Sequence, residues 1–108
     1  MDEEKIKEEK VRLDDIISLL QIANKAGKLA LGSSAGEQSL HRNKAKLCIL
    51  AEDISERTKT QIIKLVKHQP VLRCGSKTEL GEAFARKELG IIIVEDGNFA
   101  HGIMRRVK

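Results

Sequence analysis

The 108-residue sequence has no tryptophan and no tyrosine, and its two phenylalanines are Phe84 and Phe99. Modules that read bases by stacking them on aromatic platforms need several exposed rings. Phe84 lies in an apolar-periodic stretch expected to be core, so that class of reader is excluded. Long apolar runs are also missing. The longest, Ile91-Ile92-Ile93-Val94, fits a buried strand and falls far short of the roughly 20 residues of a membrane-spanning helix. The first residues are acidic and carry no apolar stretch, so no signal peptide and a cytoplasmic location are expected.

Cysteine occurs only at Cys48 and Cys74, far apart, and neither has a partner at metal-ligand spacing. Both sit in apolar, strand-like segments and are expected to be buried free thiols in a reducing compartment. The three histidines, His41, His68 and His101, are scattered and have no organised partner set. No glycine-rich loop of nucleotide-binding type is present. Glu52-Asp53, at a strand end, reads as helix-capping carboxylates rather than a metal site. The expectation is a protein with no catalytic site, no metal and no cofactor.

Charge is plentiful but uneven. The whole chain is formally +4. Residues 1–15 hold seven acidic and four basic side chains, a net of −3. The remainder holds 16 basic and 9 acidic, a net of +7. The globular part is therefore distinctly basic, which suits an anionic partner such as nucleic acid. With 41% apolar residues, the length fits a single domain with its own core.

Periodicity outlines the fold. Leu13, Ile16, Ile17, Leu20 and Ala23 or Asn24 recur at helical spacing and predict a helix over about 10–26, with residues 1–10 as a charged helical lead-in. Gly27 is placed to end it, and residues 28–31 form a short strand. Ser34-Ala35-Gly36-Glu37 has the capping-box pattern and opens a helix to about Asn43. Residues 46–51 form an apolar strand, followed by a helix capped by Asp53 or Ser55 with Ile62, Ile63 and Val66 on its inner face. Pro70 breaks that helix, and Val71-Leu72-Arg73-Cys74 is strand-like. Ser76-Lys77-Thr78-Glu79 is a second capping box. The strand Ile91–Val94 and a last helix marked by Phe99, Ile103 and Val107 complete the chain. Helices alternating with four strands imply a three-layer α/β/α sandwich around a four-stranded mixed sheet.

Two strand-to-helix loops suit binding. Gly32-Ser33-Ser34-Ala35-Gly36 offers backbone amides and small side chains at a helix start, which suits a phosphate or an RNA base edge, with Lys25 and Lys28 flanking it. Arg73-Cys74-Gly75-Ser76-Lys77 joins a strand to a helix with a glycine and two cations. In an α/β sheet such loops can lie side by side.

These residues carry a resemblance. Residues 19–29 (LLQIANKAGKL), 44–53 (KAKLCILAED), 76–81 (SKTELG) and 97–100 (GNFA) are similar, in order and spacing, to the kink-turn-binding ribosomal protein superfamily, and within it to the small bacterial YlxQ-like branch. The resemblance implies an α/β/α sandwich that binds RNA through the two loops. Members that bind kink-turns open the helix after the first strand with Gly-x-Asn-Glu-x-x-Lys. Here Gly32 is kept, while Ser34, Ala35 and Gln38 stand at the Asn, Glu and Lys positions. Lys28 and Arg42 match basic positions, Cys74 and Gly75 stand where small or apolar residues meet flipped-out bases, and Ser76-Lys77 match. Ser34 and Ala35 cannot make the base-edge contacts of Asn and Glu, each worth about 1–3 kcal/mol of discrimination.

The function expected is a non-enzymatic RNA-binding protein, ribosome-associated or bound to a structured RNA of kink-turn type. Its partners would be ribosomal or other non-coding RNA and a ribosomal or other protein, with no membrane. The alternative is a protein-interaction module that has lost RNA readout on the same fold. The candidate RNA-binding residues are Lys25, Lys28, Gly32, Ser33, Ser34, Gln38, Arg42, Arg73, Cys74, Gly75, Ser76 and Lys77.

Overall fold

A computed structural model describes residues 8–107. The elements run β1 (Glu8–Lys10), α1 (Leu13–Lys25), β2 (Leu29–Leu31), α2 (Ser33–His41), β3 (Leu47–Leu50), α3 (Glu56–Ile63), β4 (Val71–Arg73), α4 (Lys77–Ala83), β5 (Ile91–Val94) and α5 (Gly97–Met104). The strands form one sheet in the order β1-β4-β3-β5-β2. β1, β4 and β3 run parallel, while β5 lies antiparallel between β3 and β2.

Every residue of β3 and β5 is buried, as their unbroken apolar runs require for strands covered on both faces. Alternation then sorts their side chains. Leu47, Ile49, Ile92 and Val94 pack with Ile16 and Leu20 of α1, Leu80 of α4 and Ile103 of α5. Cys48, Leu50, Ile91 and Ile93 pack with Leu40 of α2 and Ile62 of α3. Helices thus cover both faces, giving the three-layer sandwich.

The sheet has five strands, not four, and residues 8–10 are a strand rather than part of a helical lead-in. Residues 1–7 of that lead-in lie outside the described residues. The sequence Glu8-Glu9-Lys10 has no strand propensity of its own. It pairs in parallel with β4, Glu8 opposite Val71, and its carboxylate meets Arg73 across the pair. Backbone pairing and the ion pairs of Glu8 with Arg73 and Lys59 override propensity at this edge.

Helix starts differ in one telling place. Ser76 and Glu79 form the expected capping box on α4. Ser55, rather than Asp53, caps α3 by accepting from the Thr58 amide. The capping box expected at Ser34 is not formed. α2 begins two residues earlier than a Ser34 cap implies, at Ser33, with Gly32 at the cap and no side chain accepting from its first turn. Gly32 has φ +93° and ψ 171°, a conformation that belongs almost wholly to glycine. That backbone turns the chain into α2 before Ser34 can act as a cap.

β2 also runs parallel to β3, since both oppose β5. The carboxyl ends of β1, β2, β3 and β4 therefore share one edge of the sheet with the amino end of β5.

Candidate nucleic-acid interface

Backbone hydrogen bonds stitch the loops of this carboxyl edge together. The Gly32 amide donates to the Ile91 carbonyl at 2.9 Å, and the Ala51 amide to Gly90 at 2.9 Å. The Glu52 amide donates to Gly75 at 2.7 Å, and the Leu89 amide to Lys77 at 3.0 Å. Two of the expected segments are thereby brought together. Gly32 and Ser33 line a cleft of about 250 Å³ with Lys77, and its remaining wall includes Ser55, Thr58, Arg86 and Glu88. An adjoining groove of about 360 Å³ is lined by Ala35, Gln38 and Arg42 of the α2 side, by Lys44, and again by Arg86. The Ser39 hydroxyl also lines this groove, buried and with no hydrogen-bond partner among the described residues.

The two helix starts are chemically unlike. Ser33, Ser34 and Ala35 are exposed and no side chain caps them, so the positive end of α2 is unspent. At α4 the leading amides are already taken. Asp53 Oδ1 accepts from the Lys77 amide at 2.8 Å, Glu79 Oε1 from Ser76 at 2.9 Å, and Ser76 Oγ from Glu79 at 3.0 Å. The α2 start is the one suited to an anion, while Lys77 adds its charge to the same cleft.

Arg73 and Cys74 face elsewhere. The Arg73 guanidinium donates to the Glu8 carboxylate at 2.8 Å, the Glu52 carbonyl at 2.9 Å and the Ala51 carbonyl at 3.3 Å. Those bonds join β1, β4 and the start of the loop after β3. Cys74 is fully buried in the core beneath α1 and α4. Desolvation, then the charges of Glu52, Glu79 and Asp15, push its thiol up to about 12. Gly75, with φ +64°, lines a separate hollow beside Lys10, Arg12 and Glu79. Lys28 stands at the opposite end of β2 from Gly32, and Lys25 lines a third hollow beside Phe84.

Sequence reasoning missed Arg86. It belongs to the loop from Phe84 to Gly90 between α4 and β5. Its Nη1 stands 3.6 Å from where a Cβ on Gly32 would lie. The signal visible in the sequence is the adjacent cations Arg86-Lys87 between a helix and an apolar strand. What was hidden is the insertion of β5 between β3 and β2, which carries that loop to Gly32. Among the described residues no cluster of His, Cys, Asp and Glu could hold a metal ion, and no helix is long and apolar enough to cross a membrane.

The family model described as the ribosomal protein L7Ae/L30e/S12e/Gadd45 family matches residues 14–101. No curated protein is similar enough in sequence to match. Among solved structures, a protein of unknown function from Bacillus halodurans is 26% identical, with a TM-score of 0.76 over 83% of this chain and 93% of its own. A 15.5kD RNA binding protein of Giardia lamblia shares the fold at 20% identity, with a TM-score of 0.70 over 86% of this chain and 84% of its own.

Proposed function

Because the chain belongs to the ribosomal protein L7Ae/L30e/S12e/Gadd45 family, we propose that it binds structured RNA where Gly32 and Ser33 meet Lys77 and Arg86. Family membership makes it a non-enzymatic protein. The observation that carries the reading is the convergence of an uncapped helix start with two cations from separate segments in one cleft. Free amides and the helix dipole accept a phosphate, and Lys77 and Arg86 neutralise its neighbours. Gln38 and Arg42 extend the same surface along α2 through the groove shared with Arg86. Ser34 supplies a short hydroxyl at the helix start. Ser76, through its capping box, holds the α4 start that carries Lys77.

In this reading Arg73, Cys74 and Gly75 shape the edge from behind rather than touch RNA. Arg73 anchors the loop after β3, whose Asp53 in turn orients the start of α4. Lys25 and Lys28 lie outside the cleft. The target is a folded RNA of kink-turn type or a ribosomal RNA segment, in keeping with the family description and with the fold shared with the Giardia protein. The same reading puts the chain in the small bacterial YlxQ-like branch, on the resemblance carried by residues 19–29 and 44–53.

Gel shifts on a kink-turn RNA and a straight duplex, across a salt series, test the reading. Contact with about four phosphates gives a log–log salt slope near −3 to −4. The kink-turn RNA is expected to bind better, and Arg86→Gln to weaken it. Absence of binding to either RNA at low salt sinks the reading. Equal binding to both removes kink-turn preference and leaves backbone recognition.

A further inference from the structure

The charge that makes the chain basic is concentrated away from the cleft. Loops at the carboxyl edge carry Arg12, Arg86 and Lys87 against Glu52, Asp53 and Glu88, an even balance. The opposite, amino edge gathers the loops before β2, β3 and β4 and the turn after β5. Those loops carry Lys28, Arg42, Lys44, Lys46, Lys64 and Lys67 against Glu95 and Asp96 alone. All six cations are exposed, whereas Glu95 and Asp96 are half-buried, and Asp96 is spent capping α5. Among the described residues none of the six is in an ion pair. Two of the loops are tied together, since Lys67 Nζ donates to Asn43 Oδ1 at 3.1 Å.

We propose that this amino edge is a second RNA-backbone surface, holding a helical arm of the same RNA whose folded element sits in the cleft. The proposal rests on the RNA reading above. Helix α2 links the two places. It starts at the cleft and ends at Arg42 after nine residues, a span of about 13 Å at 1.5 Å per residue. The groove along it has Arg86 at one end and Arg42 and Lys44 at the other, with the neutral Ala35, Gln38 and Ser39 between them and Glu95 as its one acidic side chain, so cations flank both ends of the path. From β4 to β2 the edge spans three strand spacings, about 14 Å. A nucleic-acid strand places a phosphate roughly every 3.4 Å, so about four phosphates fit each stretch.

The chemistry favours a phosphate backbone over a protein surface. Protein interfaces are depleted in lysine and enriched in aromatic residues. Here five of the six cations are lysine, and the one large hydrophobic exposed among the described residues, Ile22, lies on α1 outside these loops. Lysines scattered over three loops give charge without base readout, as backbone contacts do.

Two RNAs with the same kink-turn, one with arms of about 4 base pairs and one with about 12, separate the surfaces by fluorescence anisotropy across a salt series. The full chain is expected to bind the long-armed RNA more tightly and with a steeper salt slope. Lys28→Gln, Lys46→Gln and Lys64→Gln together should lower that slope by about 2–3, at roughly 0.9 per phosphate contact, and leave the short-armed RNA unchanged. The matching Lys→Arg triple variant should restore the long-armed binding and so controls for folding. Arg86→Gln should weaken both RNAs alike. If the native chain binds the two RNAs equally, or if the Gln variant weakens both to the same degree, the second surface is overturned. If the native chain binds neither, the RNA reading of the cleft fails and takes this proposal with it.

Discussion

Arg73 holds Glu8 at 2.8 Å across the β4–β1 pair, and Lys59 of α3 reaches the other carboxylate oxygen at 3.2 Å. A single carboxylate thus joins an edge strand, its neighbour and a helix. Both cations and Glu8 are largely shielded from solvent. The first strand of the sheet depends on this contact more than on any preference of its own sequence.

Stability should therefore depend on Glu8 ionisation. Burial raises the Glu8 carboxyl, but hydrogen bonds from Arg73 and Lys59, with their charges, outweigh it and hold the group below its ordinary range. A depressed carboxyl contributes stability above its unfolded value, near 4.3, and loses it as pH falls through the folded value. Glu8→Gln is expected to cost about 1.5–3 kcal/mol at pH 7, the range for hydrogen bonds to charged groups. Urea unfolding of both proteins from pH 7 to pH 2 checks this. The difference should close below about pH 4, and a constant difference would show that the charge of Glu8 is not what matters.

The same contact explains what could be read from sequence and what could not. The two-sided burial of β3 and β5 is written in their apolar runs, and the Ser76–Glu79 box in its spacing. β1 is not, because Glu8-Glu9-Lys10 becomes a strand only once β4 is beside it. Arg73 reads as a binding residue because it is a cation at the head of a glycine-containing strand-to-helix loop, yet its acceptors are two carbonyls and a carboxylate from other parts of the chain. Arg86 went unnoticed for the converse reason. Its nearness to Gly32 comes from strand order, which no local pattern encodes.

Gly81 should control where Arg86 sits. A Cβ there would lie 2.6 Å from the Arg86 carbonyl oxygen, 2.9 Å from that of Lys87 and 3.0 Å from the Glu88 Cα, all backbone atoms. The Gly81 carbonyl also accepts from the Arg86 amide at 2.8 Å. Gly81→Ala must push the loop outward, at a cost of about 1–3 kcal/mol for overpacking. Gly97→Ala is the control, since nothing lies within 4 Å of a Cβ there. Thermal melts and RNA titrations of both variants are the measurement. Gly81→Ala should lower stability and weaken RNA binding, whereas Gly97→Ala should alter neither appreciably.

The cysteines should be inert in the folded protein. Desolvation, with a smaller push from Glu8, raises the Cys48 thiol to about 12, and Cys74 stands at a similar value. Nucleophilic attack needs the thiolate, which is scarce at pH 8 for such groups. A disulfide-exchange reagent such as DTNB should label neither residue in buffer and both in denaturant. Rapid labelling of Cys74 alone in buffer would mean that the loop before α4 opens readily.

Ser34 and Ala35 offer the sharpest test of specificity. Both are exposed at the first turn of α2, beside the groove lined by Gln38 and Arg42. A serine hydroxyl is shorter than an asparagine amide, and alanine presents no polar atom, so neither forms a bidentate bond to a base edge. Phosphate contacts by Lys77, Arg86 and the α2 amides do not depend on those side chains. Binding should thus be governed mainly by backbone charge, with only a modest preference for a kink-turn over a duplex. Ser34→Asn with Ala35→Glu should add preference for a kink-turn over a duplex of about 1–3 kcal/mol, roughly 5- to 150-fold, for each bidentate contact that forms. The salt slope on the kink-turn should stay the same, because no phosphate contact is gained. Titration of both RNAs against both proteins decides it. Weaker binding with a shallower slope and no gain in preference would mean that the new carboxylate lies against phosphates, and α2 would then not face the base edges at all.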